Sequence, residues 1–84
     1  MVWTYQQLRM MIDERKNANY YFHDLHEGRK SIWWKSLASR INLSFETSYS
    51  RKQVNEKFQD LVRDHTVSIK ILKHHHRFIY YESV

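Results

Sequence analysis

The chain has 84 residues, with 14 Lys and Arg against nine Asp and Glu, for a formal net charge of +5 at pH 7. That length suits one domain, or a piece of a longer chain, and leaves no room for a large enzyme cleft. The absence of Cys excludes a disulfide scaffold and a thiolate zinc site, and zero Pro with a single Gly argues against a turn-rich all-β fold. Leu, Ile, Val and Phe make up about a quarter of the residues, enough for a folded core. Apolar runs last only a few residues, too short for a membrane span. Arg9, Asp13 and Glu14 interrupt any signal-peptide-like apolar stretch. The charge is uneven: residues 29–73 hold ten of the 14 basic side chains and four of the nine acidic ones. Such a concentration attracts polyanions, although a solvated basic surface has the same composition.

The first predicted helix starts after Thr4. Thr4-Tyr5-Gln6-Gln7 has the form of a capping box, and Trp3 and Leu8 occupy the positions of a hydrophobic staple. Leu8, Met11 and Ile12 then follow helical spacing, and the helix is expected to end near Asn17–Asn19. Tyr20 to Leu25 reads as an aromatic connector with room for a short helical turn, and Gly28 as a chain break. A second helix is expected from about Lys30 to Ile41. Its apolar stripe is Trp33 or Trp34, with Leu37, Ala38 and Ile41. Asn42–Tyr49 reads as a polar-aromatic loop.

The third helix has the clearest start, because Ser50-Arg51-Lys52-Gln53 is a second capping-box pattern. Val54, Phe58, Leu61, Val62 and His65 share one face. Thr66, Val67 and Ser68 lower helix propensity, so the helix either ends near His65 or continues to Leu72. Lys73–Val84 fits strand and helix equally. The expected fold class is all-α, a three-helix bundle over residues 1–73, with residues 74–84 as a C-terminal extension able to form a short extra element.

Opposite the apolar face of the third helix, Lys52, Asn55, Glu56, Gln59 and Arg63 form a polar stripe. These side chains suit base edges: Asn and Gln pair with adenine, Lys and Arg with guanine, and Glu accepts from cytosine. Arg51 and Lys57 flank the stripe and suit phosphates. Amphipathic helices of any function also carry a polar outer face, so the stripe by itself does not choose between the two readings.

Trp3, Trp34 and Phe58 fall one per expected helix, 31 and 24 residues apart. Trp3-Thr4 with Leu8 and Ile12-Asp13-x-Arg15, Trp33-Trp34-x-x-Leu37-Ala38-x-x-Ile41, and Ser50-x-x-Gln53-Val54-Asn55-Glu56-Lys57-Phe58-x-x-Leu61 follow in order. The ordered set resembles the Myb/SANT-like DNA-binding domains, most closely the trihelix, or GT-factor-like, branch. Phe22 falls where that branch has a Phe between helices, and Phe78–Glu82 is similar to the aromatic start of a following amphipathic segment. Trp33 stands where Leu is usual, Val54 replaces a frequent Cys, and Phe45 and Tyr49 occupy a loop more often polar.

The resemblance implies a helix-turn-helix arrangement with Trp3, Trp34 and Phe58 as core aromatics. It implies a nuclear transcription regulator that binds double-stranded DNA through the third helix. Lys52, Asn55, Glu56 and Gln59 match the family's base-reading positions. Arg51, Lys57 and Arg63 then look like backbone contacts, with Lys30, Lys35 and Arg40 adding more. The rival is a SANT-type interaction module binding a chromatin protein or histone tail, to which Glu56, Asp60 and Asp64 are suited. A further protein partner or a dimer through regions outside this domain is compatible with either.

Other chemistry has little support. His23 and His26 with Glu27, and the run His74–His76, lack a recognised metal-ligand pattern, and no metal or cofactor is expected. Nothing orders Ser, His and Asp into a nucleophile and base, so no catalytic residue and no small-molecule substrate is expected.

Overall fold

The computed structural model describes residues 2–64. Within them the chain is all-helical and holds four helices: α1 (Tyr5–Asn17), α2 (Asn19–Phe22), α3 (Glu27–Phe45) and α4 (Arg51–Arg63). Both predicted capping boxes form. Thr4 Oγ1 accepts from the Gln7 amide at 3.2 Å, and Gln7 Oε1 accepts from the Thr4 amide at 3.0 Å. Ser50 and Gln53 repeat the exchange at 3.1 and 2.8 Å. Each box satisfies amides that the first helical turn would leave bare.

The second long helix is longer at both ends than the sequence suggests. Its start is Glu27 rather than Lys30, so Gly28 lies inside the first turn and breaks nothing. A Cβ at Gly28 would meet nothing within 4 Å. The first-turn carboxylate of Glu27 suits the positive end of the helix dipole. At the other end α3 runs on to Phe45, which packs partly buried against the core. Glu46 then stops it in the left-handed region at φ 55° and ψ 46°.

Asn42 builds the turn from α3 to α4. Its Oδ1 accepts from Thr47 Oγ1 at 2.7 Å and from the Tyr49 amide at 2.8 Å, and its Nδ2 donates to the Tyr49 carbonyl at 2.9 Å. One side chain thereby satisfies backbone groups that an irregular turn leaves without helix partners.

The core is a single cluster between the three long helices. α3 gives Trp34, Leu37, Ala38 and Ile41, α4 gives Val54, Phe58 and Leu61, and α1 gives Met11 and Ile12. Trp34 is the buried member of the tryptophan pair, and Trp33 is half-buried. Phe22 on α2 meets Trp34 edge-on at 5.9 Å, and Trp34 meets Phe58 at 5.5 Å. The expected Trp3 is not in this centre. It precedes α1, is only half-buried, and stacks on Tyr49 with centroids 4.0 Å apart. Phe22 completes the central aromatic trio in its place. The expected placement of His65, the 73/74 boundary and the segment 74–84 lie outside the described residues.

Candidate nucleic-acid interface

The outer face of α4 is presented as its spacing implies. Lys52, Glu56, Gln59 and Arg63 are exposed, and Asn55 is half-buried at the edge of the stripe. Val54, Phe58 and Leu61 hold the opposite face in the core, which fixes the rotation of the helix about its axis. Gln59 Nε2 lies 3.4 Å from Asn55 Oδ1. That contact leaves the Asn55 amide NH2 and the Gln59 carbonyl oxygen uncommitted to each other, the two groups an adenine edge requires.

Several of the predicted cations already have partners. Lys52 lies 4.0 Å from Glu56 one turn on, and Arg63 Nη1 is 3.1 Å from Asp60. Both pairs are exposed, so they are worth little and break at small cost when a stronger anion arrives. Lys30 meets Glu27 at 3.8 Å. Arg40 reaches Glu14 of α1 at 2.7 Å, across the seam between α1 and α3. Among the described residues, Arg51, Lys57 and Lys35 form no ion pair.

A hollow borders α4 on each of its two flanks. On one side Arg51, Asn55 and Gln59 form a wall of a cleft of about 250 Å³, with Lys30 and Ser31 of α3 across from them. On the other, Lys57, Gln53 and Asp60 border a hollow that ends at Trp3 and Tyr49. The structure therefore brings Lys30 and Arg51 to one flank of the stripe and Lys57 to the other. It does not bring Lys35 to either hollow, and Arg40 is drawn towards α1.

Arg15 is the residue that sequence reasoning missed. It is 2% exposed, and it lines the floor of the first cleft. Its guanidinium carbon lies 3.8 Å from the centroid of Phe22 and 5.8 Å from that of Phe58. Nη1 donates to Asn19 Oδ1 at 2.9 Å, and the buried Nε has no partner. Burial disfavours the charge and pulls its pKa down to about 10, with Tyr21 acting weakly in the opposite direction. The group is still charged at pH 7. One signal was legible: Arg15 stands four residues after Met11 and eight after Gln7, on the buried stripe of α1.

Among the described residues no group of three His, Cys, Asp or Glu side chains could hold a metal ion. His23 Nε2 instead lies 3.1 Å from Asn19 Oδ1. Among the same residues no helix is long and apolar enough to cross a membrane. No protein-family model matches the chain, and no curated protein or solved structure is similar enough to count as a match.

Proposed function

We propose that this chain is a DNA-binding module of a nuclear transcription regulator, in which α4 enters the major groove as the second helix of a helix-turn-helix pair with α3. One observation carries the reading most directly. Asn55, Glu56 and Gln59 of the stripe border open hollows and Lys52 is exposed, while the same helix is anchored by three buried apolar side chains. A reading helix needs both properties, a fixed rotation and a free polar face. Arg51 and Lys30 on one flank and Lys57 on the other support this reading, because a groove is bordered by a phosphate strand on each side.

The internal pairs on α4 favour a second reading on a specific point. Glu56 and Asp60 offset Lys52 and Arg63, so this face is less basic than the sequence composition implies. A basic peptide such as a histone tail would displace those cations as readily as DNA would displace the carboxylates. Titration of a random-sequence duplex at several salt concentrations separates the two. DNA binding falls steeply with salt, with a log–log slope of about −0.9 per phosphate contacted. No binding at low salt would sink the DNA reading and leave the interaction module. Where binding is found, selection from a random pool gives the site. Asn55→Ala should then cost about 1–3 kcal/mol on that site and relax one base position.

A further inference from the structure

The cleft beside α4 has a composition that stability does not explain. Its floor is a buried arginine, and its walls carry Lys30 and Arg51. Glu27 also lines the cleft, 3.8 Å from Lys30 and with its side chain 94% exposed, so three cations there face one solvated carboxylate. Arg15 itself forms no ion pair among the described residues; Asn19, which it meets, is a neutral amide. A buried guanidinium with an unpaired Nε is a costly feature in a protein of this size. Its charge acts through a poorly screening interior of Phe22, Trp34 and Phe58, and so attracts an anion in the cleft more strongly than a surface cation does.

We propose that this cleft is a phosphate site, filled by one backbone phosphodiester of the duplex that α4 reads. Lys30 and Arg51 hold the phosphate oxygens from the two walls, and Arg15 supplies a fixed countercharge from below. The choice of a duplex phosphate over a phosphorylated protein rests on the reading of α4 given above and on one further observation. Asn55 and Gln59 line the same cleft. A phosphate seated there belongs to a strand whose bases lie along the stripe. It fixes the register of α4 in the groove, as phosphate contacts do generally.

The test uses the full chain with 15N-labelled arginine. The Arg15 Nε–Hε resonance, assigned by its loss in Arg15→Lys, reports the cleft floor. Inorganic phosphate is titrated against chloride at matched ionic strength, and a random-sequence duplex is titrated separately with anisotropy followed in parallel. Both phosphate and duplex are expected to shift the Arg15 signal in the same direction, and phosphate to lower the duplex anisotropy more than chloride does at matched ionic strength. The double variant Lys30→Gln/Arg51→Gln, with its fold checked by circular dichroism, should weaken phosphate binding by about tenfold or more, the loss expected for charge-assisted contacts. Equal shifts from phosphate and chloride would overturn the site. A duplex that binds by anisotropy but leaves Arg15 unmoved would overturn it too, while the DNA reading of α4 stands. A shift from phosphate with no duplex binding at low salt would overturn the duplex as occupant, together with the α4 reading, and point to a phosphorylated peptide.

Discussion

The buried stripe of α1 ends in a polar side chain at each end, and the two ends are built on opposite principles. At the first, Gln7 is 5% exposed and its Oε1 accepts from both the Thr4 amide and the Tyr49 hydroxyl, each at 3.0 Å. Trp3 covers Tyr49 in a nearly parallel stack at 4.0 Å. This end is neutral, its Gln7 oxygen and Tyr49 hydroxyl are paired, and it ties the chain before α1 to the turn before α4. At the other, Arg15 is as deeply buried but charged, with an unpaired Nε and no ion pair among the described residues. Burying a polar group is inexpensive only when its hydrogen bonds are replaced, and burying a charge only when it is also neutralised. The first end meets that condition and reads as a latch. The second does not, and Arg15 lines the cleft that opens beside α4.

The latch is broken most severely by Tyr49→Ala. That change empties a space lined by Trp3 and removes the partner of Gln7. Loss of a large buried aromatic costs about 3–5 kcal/mol, and urea or thermal melts should show it. The Arg15 cleft lies on the far side of α4, so the shift of the Arg15 resonance on adding phosphate should be unchanged in the surviving folded fraction. Gln7→Met comes next, at roughly 2 kcal/mol. It removes half of a capping box and leaves the Tyr49 hydroxyl without its better acceptor.

Tyr49→Phe is milder and carries a pH signature. It should cost about 1 kcal/mol near neutrality, the worth of one hydrogen bond. Burial raises the Tyr49 pKa above its ordinary value of 10.0. The folded state therefore holds this proton after the unfolded state has released it. The wild type loses that contribution as pH rises through 10 and above, and the variant does not. The gap between the two should narrow in urea melts taken from about pH 8 to about pH 11. A gap that stays constant would show that the hydroxyl is solvated and the latch open.

The latch was partly legible in the sequence and the cleft was not, for a physical reason. Capping boxes are local: Thr4 and Gln7, or Ser50 and Gln53, recognise each other three residues apart. The stripe on α4 was legible because one helix with a strong apolar face fixes its own opposite face. Trp3 was assigned to the core aromatics by the resemblance, which expects one such aromatic per helix. Its actual partner, Tyr49, is 46 positions away and sits in a turn that Asn42 organises. The cleft depends on four elements meeting around Arg15, and no local pattern encodes that meeting. The ends of α3 were misplaced because Gly28 and the run after Ile41 are weak breakers. Glu27 and Phe45 favour helix there through the dipole and through packing.

Arg15→Met is the smallest expected change in stability and the most informative. Methionine loses the stack of the guanidinium on Phe22 and one hydrogen bond to Asn19, yet it relieves the burial of an uncompensated charge. Replacing buried charged groups with apolar ones of similar volume is often neutral or stabilising, so the net change near pH 7 should lie within about 1 kcal/mol of zero. The pH dependence runs opposite to that of the latch. The Arg15 pKa is depressed to about 10, below the ordinary guanidinium value, so above about pH 10 the unfolded state binds more protons and wild-type stability gains from Arg15 as pH rises. Comparing urea melts at about pH 8 and about pH 11, the wild type should improve relative to Arg15→Met, whereas it should worsen relative to Tyr49→Phe. A loss of about 3 kcal/mol or more in Arg15→Met at pH 7 would make Arg15 a structural residue like Gln7, and the two ends of α1 would then be the same device.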